Sequence, residues 1–477
     1  TQFLTTSPSI KQFTDSVSRG ITGKLRYDVP VTSYRTTPAP STRMPEAIPY
    51  IIANDIAERF SFYGMRAILV VFMTQYLMTS DGALSTMSHA DATSWYHLFV
   101  STTYFLPVLG AIIADAYWGK YKTVILLSVV YCAGHLALFL DDSRVGLFLG
   151  LTLIAVGSGG IKPSVASNVG DQFGKTNEHF MSRAFSWYYL GINIGSSTSS
   201  LLTPWLLKEF GPAIAFGVPG AFMLAATVTF WAGRKSFVHV PPAGKAYVQD
   251  IFGAEGRRVA KRLLVIYVLV AAFWSLFDQT GSTWVLQAMS MDRVVFGYEL
   301  LPSQIQAINP VLIIVLIPVF TYLVYPALGR LFEVTNSRKM CMGMMLAATP
   351  FLVTGWCEAQ IQMGYEPHIG WQVVAYLLLT IAEVMLVITL MEFSYTQAPK
   401  RMKSMVMALF YLSISAGNLF TVAVNQVIQK PDGSTLLTGA AYHVFFAGFM
   451  GVVAILFAVY MRFYREERII QDESEAS

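Results

Sequence analysis

The sequence predicts an all-α integral membrane protein with twelve spanning helices arranged as two bundles of six. Three observations point there. Of 477 residues, 54% are hydrophobic and only 13% charged, where soluble domains average about 25% charged. The apolar residues come in blocks as long as the roughly 20-residue helix that crosses a bilayer. A basic polar stretch parts those blocks six and six, the organisation of carriers built from two pseudo-symmetric halves.

In chain order, a polar tail rich in Pro, Thr and Ser occupies residues 1–45. It carries no short apolar run ahead of a small-residue cleavage site, so the first block is expected to act as its own insertion signal. Ile10, Phe13, Val17 and Ile21 are roughly helically spaced within it, which leaves a membrane-surface helix and an unstructured tail both open. The N-terminal bundle is assigned to residues 46–233, with blocks at 47–77, 92–117, 121–140, 145–170, 180–206 and 212–233. A plain linker is expected over 234–259, with an amphipathic surface helix over 247–262 as the alternative. The C-terminal bundle is assigned to 260–463, with blocks at 260–287, 302–330, 338–356, 370–396, 403–428 and 438–463, and residues 464–477 form a second tail.

Lys and Arg are retained on the cytoplasmic side of a membrane. With both tails inside, 26 of the 33 fall on cytoplasmic segments, four outside (Arg144, Lys208, Arg293, Lys430) and three within the membrane. Both tails are therefore expected in the cytoplasm of a cell membrane. Anionic lipid accounts for the net charge of +4, and no nucleic-acid partner is implied. Cys132, Cys341 and Cys357 lie far apart and read as packing residues, without a disulfide framework or a metal site. Met340, Met342, Met344 and Met345 also read as packing. The seven histidines are scattered with no HxxxH or HExxH spacing, which speaks against a membrane enzyme, and no filter-like loop suggests a channel.

Ionisable side chains in spanning helices cost about 2.5–3.5 kcal/mol each on insertion scales and persist where they face a partner or a cavity. The first block carries Asp55, Glu58, Arg59 and Arg66, which steps of three, four and seven place on one broad face with Phe62 and Tyr63. An internal salt bridge fixing helix packing is one explanation. Lys162 in block four, Asp278 in block seven and Glu383 in block ten favour another, a polar central cavity suited to a zwitterion. A carboxylate beside a permanent cation is a proton-coupling device, because protonation releases the cation for another partner. Glu58, together with Asp55, is expected to alternate between pairing with Arg59 or Lys162 and holding a proton.

At these residues the sequence resembles a known family. Residues 58–66, ERFSFYGMR, are similar to the ExxERFxYYG signature of the proton-dependent oligopeptide transporters of the major facilitator superfamily. Gly110 to Thr123 resembles that family's loop between helices two and three. Lys162-Pro163 with Gly170-Asp171-Gln172-Phe173 resembles its helix-four motif, Tyr188 to Ser196 its helix-five FYxxINxGS motif, and Phe393 to Pro399 its helix-ten element.

The resemblance implies the major facilitator fold, a monomer, and a symporter that imports di- and tripeptides with protons and needs no cofactor or metal beyond them. Arg66 and Lys162 would receive the peptide carboxylate, while Glu383, Asn193 and Asn309 would hold its amino end and Tyr63 add a hydroxyl. Trp274, Phe273 and Phe410 would line side-chain pockets, and Asp278 would pair with Arg66 as an outer gate. His97 matches a histidine that animal members use in proton coupling, although a neutral histidine bonded to a neighbouring hydroxyl is the alternative.

Departures are visible. Asp55 replaces the usual Glu, Phe62 replaces a usual Tyr, the extra helix pair of many bacterial members has no room in the linker, and no large outer domain is expected. Nitrate or another anionic or zwitterionic solute is the alternative cargo. Asp115, Lys120 and Lys122 read as a cytoplasmic gate and topology element, and Glu392 as a gate or salt-bridge residue of undecided role.

Overall fold

The first helix, α1 (Ile48–Gln75), is 28 residues long, about 42 Å at 1.5 Å per residue and enough to cross the roughly 30 Å hydrocarbon core. It belongs to a computed structural model that describes residues 34–244, 247, 249, 252–396, 403–429 and 435–464. The chain divides into a unit of residues 1–35 and a unit of 36–477. The expected surface helix around Ile10 to Ile21, the C-terminal tail beyond 464 and Gln397 to Pro399 of the helix-ten element lie outside the described residues.

Eleven further spans follow among the described residues. α2 (His89–Ile113) starts where Ser88 Oγ accepts the Asp91 amide at 3.1 Å, satisfying one of the orphan donors of a helix start. It runs on into a π turn, Ala114–Trp118. Gly119, at φ 78°, breaks it from α3 (Lys120–Leu140). α4 (Arg144–Asp171) is capped by Ser143. Helix Met181–Ala232 is interrupted at Gly211, whose φ of 77° suits glycine, giving α5 (181–210) and α6 (212–232).

In the second half, α7 (Ala254–Phe277) continues through a 3₁₀ turn, Asp278–Gly281, into a short helix, Thr283–Ala288. A two-stranded hairpin, Val294–Val295 with Tyr298–Glu299, precedes α8 (Pro302–Leu328). α9 (Asn336–Gln362), α10 (Gly370–Ser394), α11 (Lys403–Ile428) and α12 (Ala440–Phe463) complete the bundle. We call the end where α1 begins and α12 finishes the near end, and the opposite end the far end.

Most of these helices are apolar enough to span a bilayer by composition alone. The first is the exception. Every stretch of 18 residues within α1 contains at least three of Asp55, Glu58, Arg59 and Arg66, so its insertion depends on burying those charges against protein.

Each half has its own hydrophobic core. One runs from Ala47 to Phe237 and takes in Leu286, and the other runs from Val259 to Met461. Met340 and Met344 are fully buried in the second core and Met342 packs against a smaller cluster that includes Val384 and Met385, whereas Met345 is half exposed.

The second bundle starts earlier than the sequence suggests, at Ala254. The linker is also better anchored than a plain connection. The Val238 amide donates to Gln172 Oε1 at 2.9 Å, Phe237 packs with tilted rings against Phe230 and Tyr121, and the Ala243 and Gly244 amides donate to the carbonyls of Asp115 and Ala116.

Close helix crossings depend on glycine. A Cβ on Gly110 of α2 would lie 2.4 Å from the Gly159 carbonyl and 2.6 Å from Gly160 Cα in α4, both backbone atoms. Gly110→Ala is therefore expected to cost about 1–3 kcal/mol by overpacking and to lower the thermal midpoint in detergent. Gly448→Ala, which meets nothing within 4 Å, should leave that midpoint in place.

Candidate functional site

Between the halves lies a cavity of about 300 Å³ whose charges are divided by origin. The first half supplies cations, Arg59 and Arg66 from α1 and Lys162 from α4. The second supplies carboxylates, Asp278 at the end of α7 and Glu383 from α10. Tyr63, Asn193, Asn309, Trp274 and Phe410 also line it. One expected pocket residue does not. Phe273 is fully buried behind Trp274, with ring centroids 5.3 Å apart, because neighbours on a helix point about 100° away from each other.

α1 presents its charges in two layers. Arg59 reaches the cavity, while Glu58 and Asp55 are buried behind it, 1% and 2% exposed. Arg59 Nη1 lies 3.4 Å from Glu58 Oε2, and Nη2 lies 3.4 Å from Asp55 Oδ1. These are ion contacts without hydrogen-bond geometry. Neither Glu58 oxygen receives a hydrogen bond from a described group.

Lys162 is buried, and its ammonium also makes no hydrogen bond to a described group. It sits instead in an aromatic cage, 3.6 Å from the Phe62 ring centre and 4.7 Å from that of Tyr104. A desolvated cation–π contact is worth about 2 kcal/mol. Phe62, the departure from the tyrosine-rich signature, thus has a positive role in holding Lys162. Pro163 next to it breaks the regular bonding of α4, and Glu383 sits where α10 enters a π turn, Val384–Ile388.

Glu383 Oε2 accepts from Asn309 Nδ2 at 2.8 Å, and the same amide reaches Thr380 Oγ1 at 3.1 Å. Asn193 Nδ2 is turned to its own helix, donating to the Tyr189 carbonyl at 2.8 Å.

On the far side of the cavity, side chains bridge the two halves. The Arg66 guanidinium donates to Asp278 Oδ1 and, at 2.6 Å, to the Tyr96 hydroxyl. Asp278 Oδ2 accepts from Asn418 Nδ2 at 2.7 Å, while Asn418 Oδ1 lies 2.7 Å from His97 Nδ1. An amide oxygen can only accept, so His97 carries its proton on Nδ1 and Nε2 faces the Ser282 hydroxyl at 2.9 Å. His97 thus has the hydroxyl partner expected of a neutral packing histidine and is also wired through Asn418 to the carboxylate that holds Arg66.

One turn farther along α2, Ser101 Oγ meets Ser415 Oγ at 2.8 Å, and Tyr104 stacks on Tyr411. Gln306 Nε2 donates across to the Ala67 carbonyl. A Ser101→Cys, Ser415→Cys pair is expected to form a disulfide that stops transport, with dithiothreitol restoring it. Transport assayed before and after reduction checks this.

Other expectations are relocated. Lys120 pairs with Asp171 at 2.6 Å within the first half, and Glu392 is exposed. Among the described residues no cluster of three potential metal ligands occurs. Sequence reasoning missed Tyr104, Tyr189, Ser196, Gln306, Tyr376 and Tyr411 of the lining. Tyr104 had a signal, standing seven residues from His97 on the same face of α2.

Two six-helix halves around a charged, buried cavity are the architecture of the major facilitator fold. The chain belongs to the POT family, whose model (PTR2) matches residues 121–254 and 252–445. It is 35% identical over 389 residues to solute carrier family 15 member 2 of Homo sapiens, covering 71% of this chain and 52% of that protein. To peptide transporter family 1 of Drosophila melanogaster it is 34% identical over 371 residues, covering 68% and 49%. The chain thus spans about half the length of the curated relatives it matches. A crystal structure of an auto inhibited POT family peptide transporter superposes with a TM-score of 0.80 at 35% identity, over 90% of this chain and 99% of that one. A proton dependent oligopeptide (POT) family transporter gives 0.74 at 38%, over 86% and 100%.

Proposed function

We propose that the chain is a proton-coupled symporter that imports di- and tripeptides by alternating access, with the near end and both termini in the cytoplasm of a cell membrane. The observation that carries this is the split of charge across the cavity, with cations on one half and carboxylates on the other. A peptide's two ends need opposite charges facing each other, and about 300 Å³ lies at the small end of ligand pockets. The names of the relatives, peptide transporters among them, support the same cargo. Both walls come from one chain, so a monomer suffices.

Import starts from the far, extracellular side. Protonation of Asp278, or of His97 on Nε2 and through Asn418 the same network, loosens the hold on Arg66 and lets the far end open. Arg66 and Lys162 then take the peptide carboxylate, while Glu383 and Asn309 take the ammonium. Protonation of Glu58 frees Arg59, and its deprotonation toward the near end restores the pair and delivers the proton inside.

Reconstituted into liposomes with an imposed inward proton gradient, the protein should accumulate labelled dialanine. Unlabelled di- and tripeptides should compete and nitrate should not. Competition by nitrate alone would overturn the peptide assignment.

A further inference from the structure

Beyond the closed gate lies a second polar cavity, of about 330 Å³, lined by the far ends of α2, α9 and α11, the start of α12 and the short helix after α7. Three of its residues continue lines of the gate itself. Thr93 is one turn before His97 on α2, Thr283 follows Ser282, and Asn425 is two turns beyond Asn418 on α11. The cavity therefore adjoins the gate on its far side.

Its chemistry favours a cation. Glu358 is the one carboxylate of the lining, and neither Lys nor Arg appears there among the described residues. Gln287 fixes that carboxylate, donating from Nε2 to Glu358 Oε2 at 2.9 Å and to the Thr354 carbonyl at 2.9 Å, while its own oxygen accepts from Gln372 Nε2 at 3.1 Å. Two buried polar groups make no hydrogen bond of normal geometry among the described residues. Asn425 Nδ2 donates to no described group, and the Tyr442 hydroxyl lies near Thr283 and Asn425 without normal bonding geometry to either. Tyr442 is 8% exposed and Asn425 4%. Leaving such groups unbonded costs about 1–3 kcal/mol each, which a polar ligand recovers.

We propose that this vestibule is a waiting site for the amino end of an incoming peptide, with Glu358 as counter-ion to its ammonium, the Tyr442 hydroxyl as a further acceptor for that ammonium, and Asn425 Nδ2 donating to the adjoining peptide carbonyl. The inference rests on the peptide reading above and deepens it. Occupancy here raises the local concentration of substrate beside the gate while the central cavity still faces the near end.

Thr438, exposed at the rim, offers a reporter. In the full-length chain carrying Thr438→Cys, reaction with a membrane-impermeant maleimide should be slowed by dialanine amide, which keeps the ammonium and lacks the carboxylate the central cavity requires. Binding in the millimolar range is expected, and saturating amide should slow labelling about fivefold or more. N-acetyl-dialanine should give no protection.

Adding Glu358→Gln preserves the acceptor for Gln287 and removes only the charge, so protection should vanish while the thermal midpoint holds. Asn425→Ala should weaken protection as a second variant. Protection that survives Glu358→Gln, or that N-acetyl-dialanine matches, overturns the waiting site. Failure of dialanine uptake in liposomes would instead overturn the peptide reading and leave an ammonium site standing or falling on the labelling result.

Discussion

Glu58→Gln is expected to abolish proton-driven accumulation while leaving downhill peptide exchange in place. For one proton per peptide, each unit of pH gradient sustains up to about tenfold accumulation, and in the variant the inside and outside concentrations should level at a ratio of about one. The reason is positional. Glu58 is buried behind Arg59, contacts it at 3.4 Å and accepts no hydrogen bond from a described group. Its charge is held there by the cation and little else, so the amide lacks the step in which a proton replaces the guanidinium. Accumulation assays at several imposed gradients, paired with counterflow, measure both limbs. Undiminished accumulation in Glu58→Gln would remove this carboxylate from the coupling scheme. Asp55, one methylene shorter than the signature's glutamate, still comes within 3.4 Å of Arg59, so its variant should show a partial form of the same defect.

Glu383→Gln should have the second large effect, on binding. A hydrogen bond to a charged group is worth about 1.5–3 kcal/mol, which corresponds to roughly a 10-fold or greater rise in KM for dialanine. Asn309 keeps its acceptor in the variant, so the fold around the π turn should persist. N-acetyl-dialanine has no ammonium to lose, and its weak competition should be unchanged. Uptake kinetics with the two compounds separate a lost charge contact from a general disturbance. An equal loss for both would place the ammonium elsewhere.

Much of the site was legible because charge in a membrane is expensive. Asp55, Glu58, Arg59, Arg66, Lys162, Asp278 and Glu383 stand out against apolar helices, and all line the cavity or lie directly behind it, Arg59 and Glu383 being the partly exposed ones. What the sequence does not state is rotation. Glu58 and Arg59 are neighbours in the chain, as are Phe273 and Trp274, and in each pair only one faces the cavity. That choice is made by packing, for example where Gly195 lets α5 press its backbone against Ile56 and Arg59.

The far contact between the halves was half legible. His97, Ser101 and Tyr104 on α2 and Tyr411, Ser415 and Asn418 on α11 share the spacing of one helical face, and they meet in reverse order as antiparallel partners. Read singly, hydroxyls on apolar helices pass for packing. Read as two matching stripes, they predict the contact. The π turn beside Glu383 and the anchoring of the linker by Gln172 have no comparable pattern, since both arise from tertiary fit.

The coupling of peptide to proton is tested most directly by running the linkage in reverse. Liposomes containing the wild-type protein, with no pH difference imposed, are given an inward gradient of dialanine, and the internal pH is followed with a trapped dye. Proton-coupled symport predicts acidification that requires dialanine, saturates with it and is absent in Glu58→Gln. Dialanine uptake with no change of internal pH would contradict it.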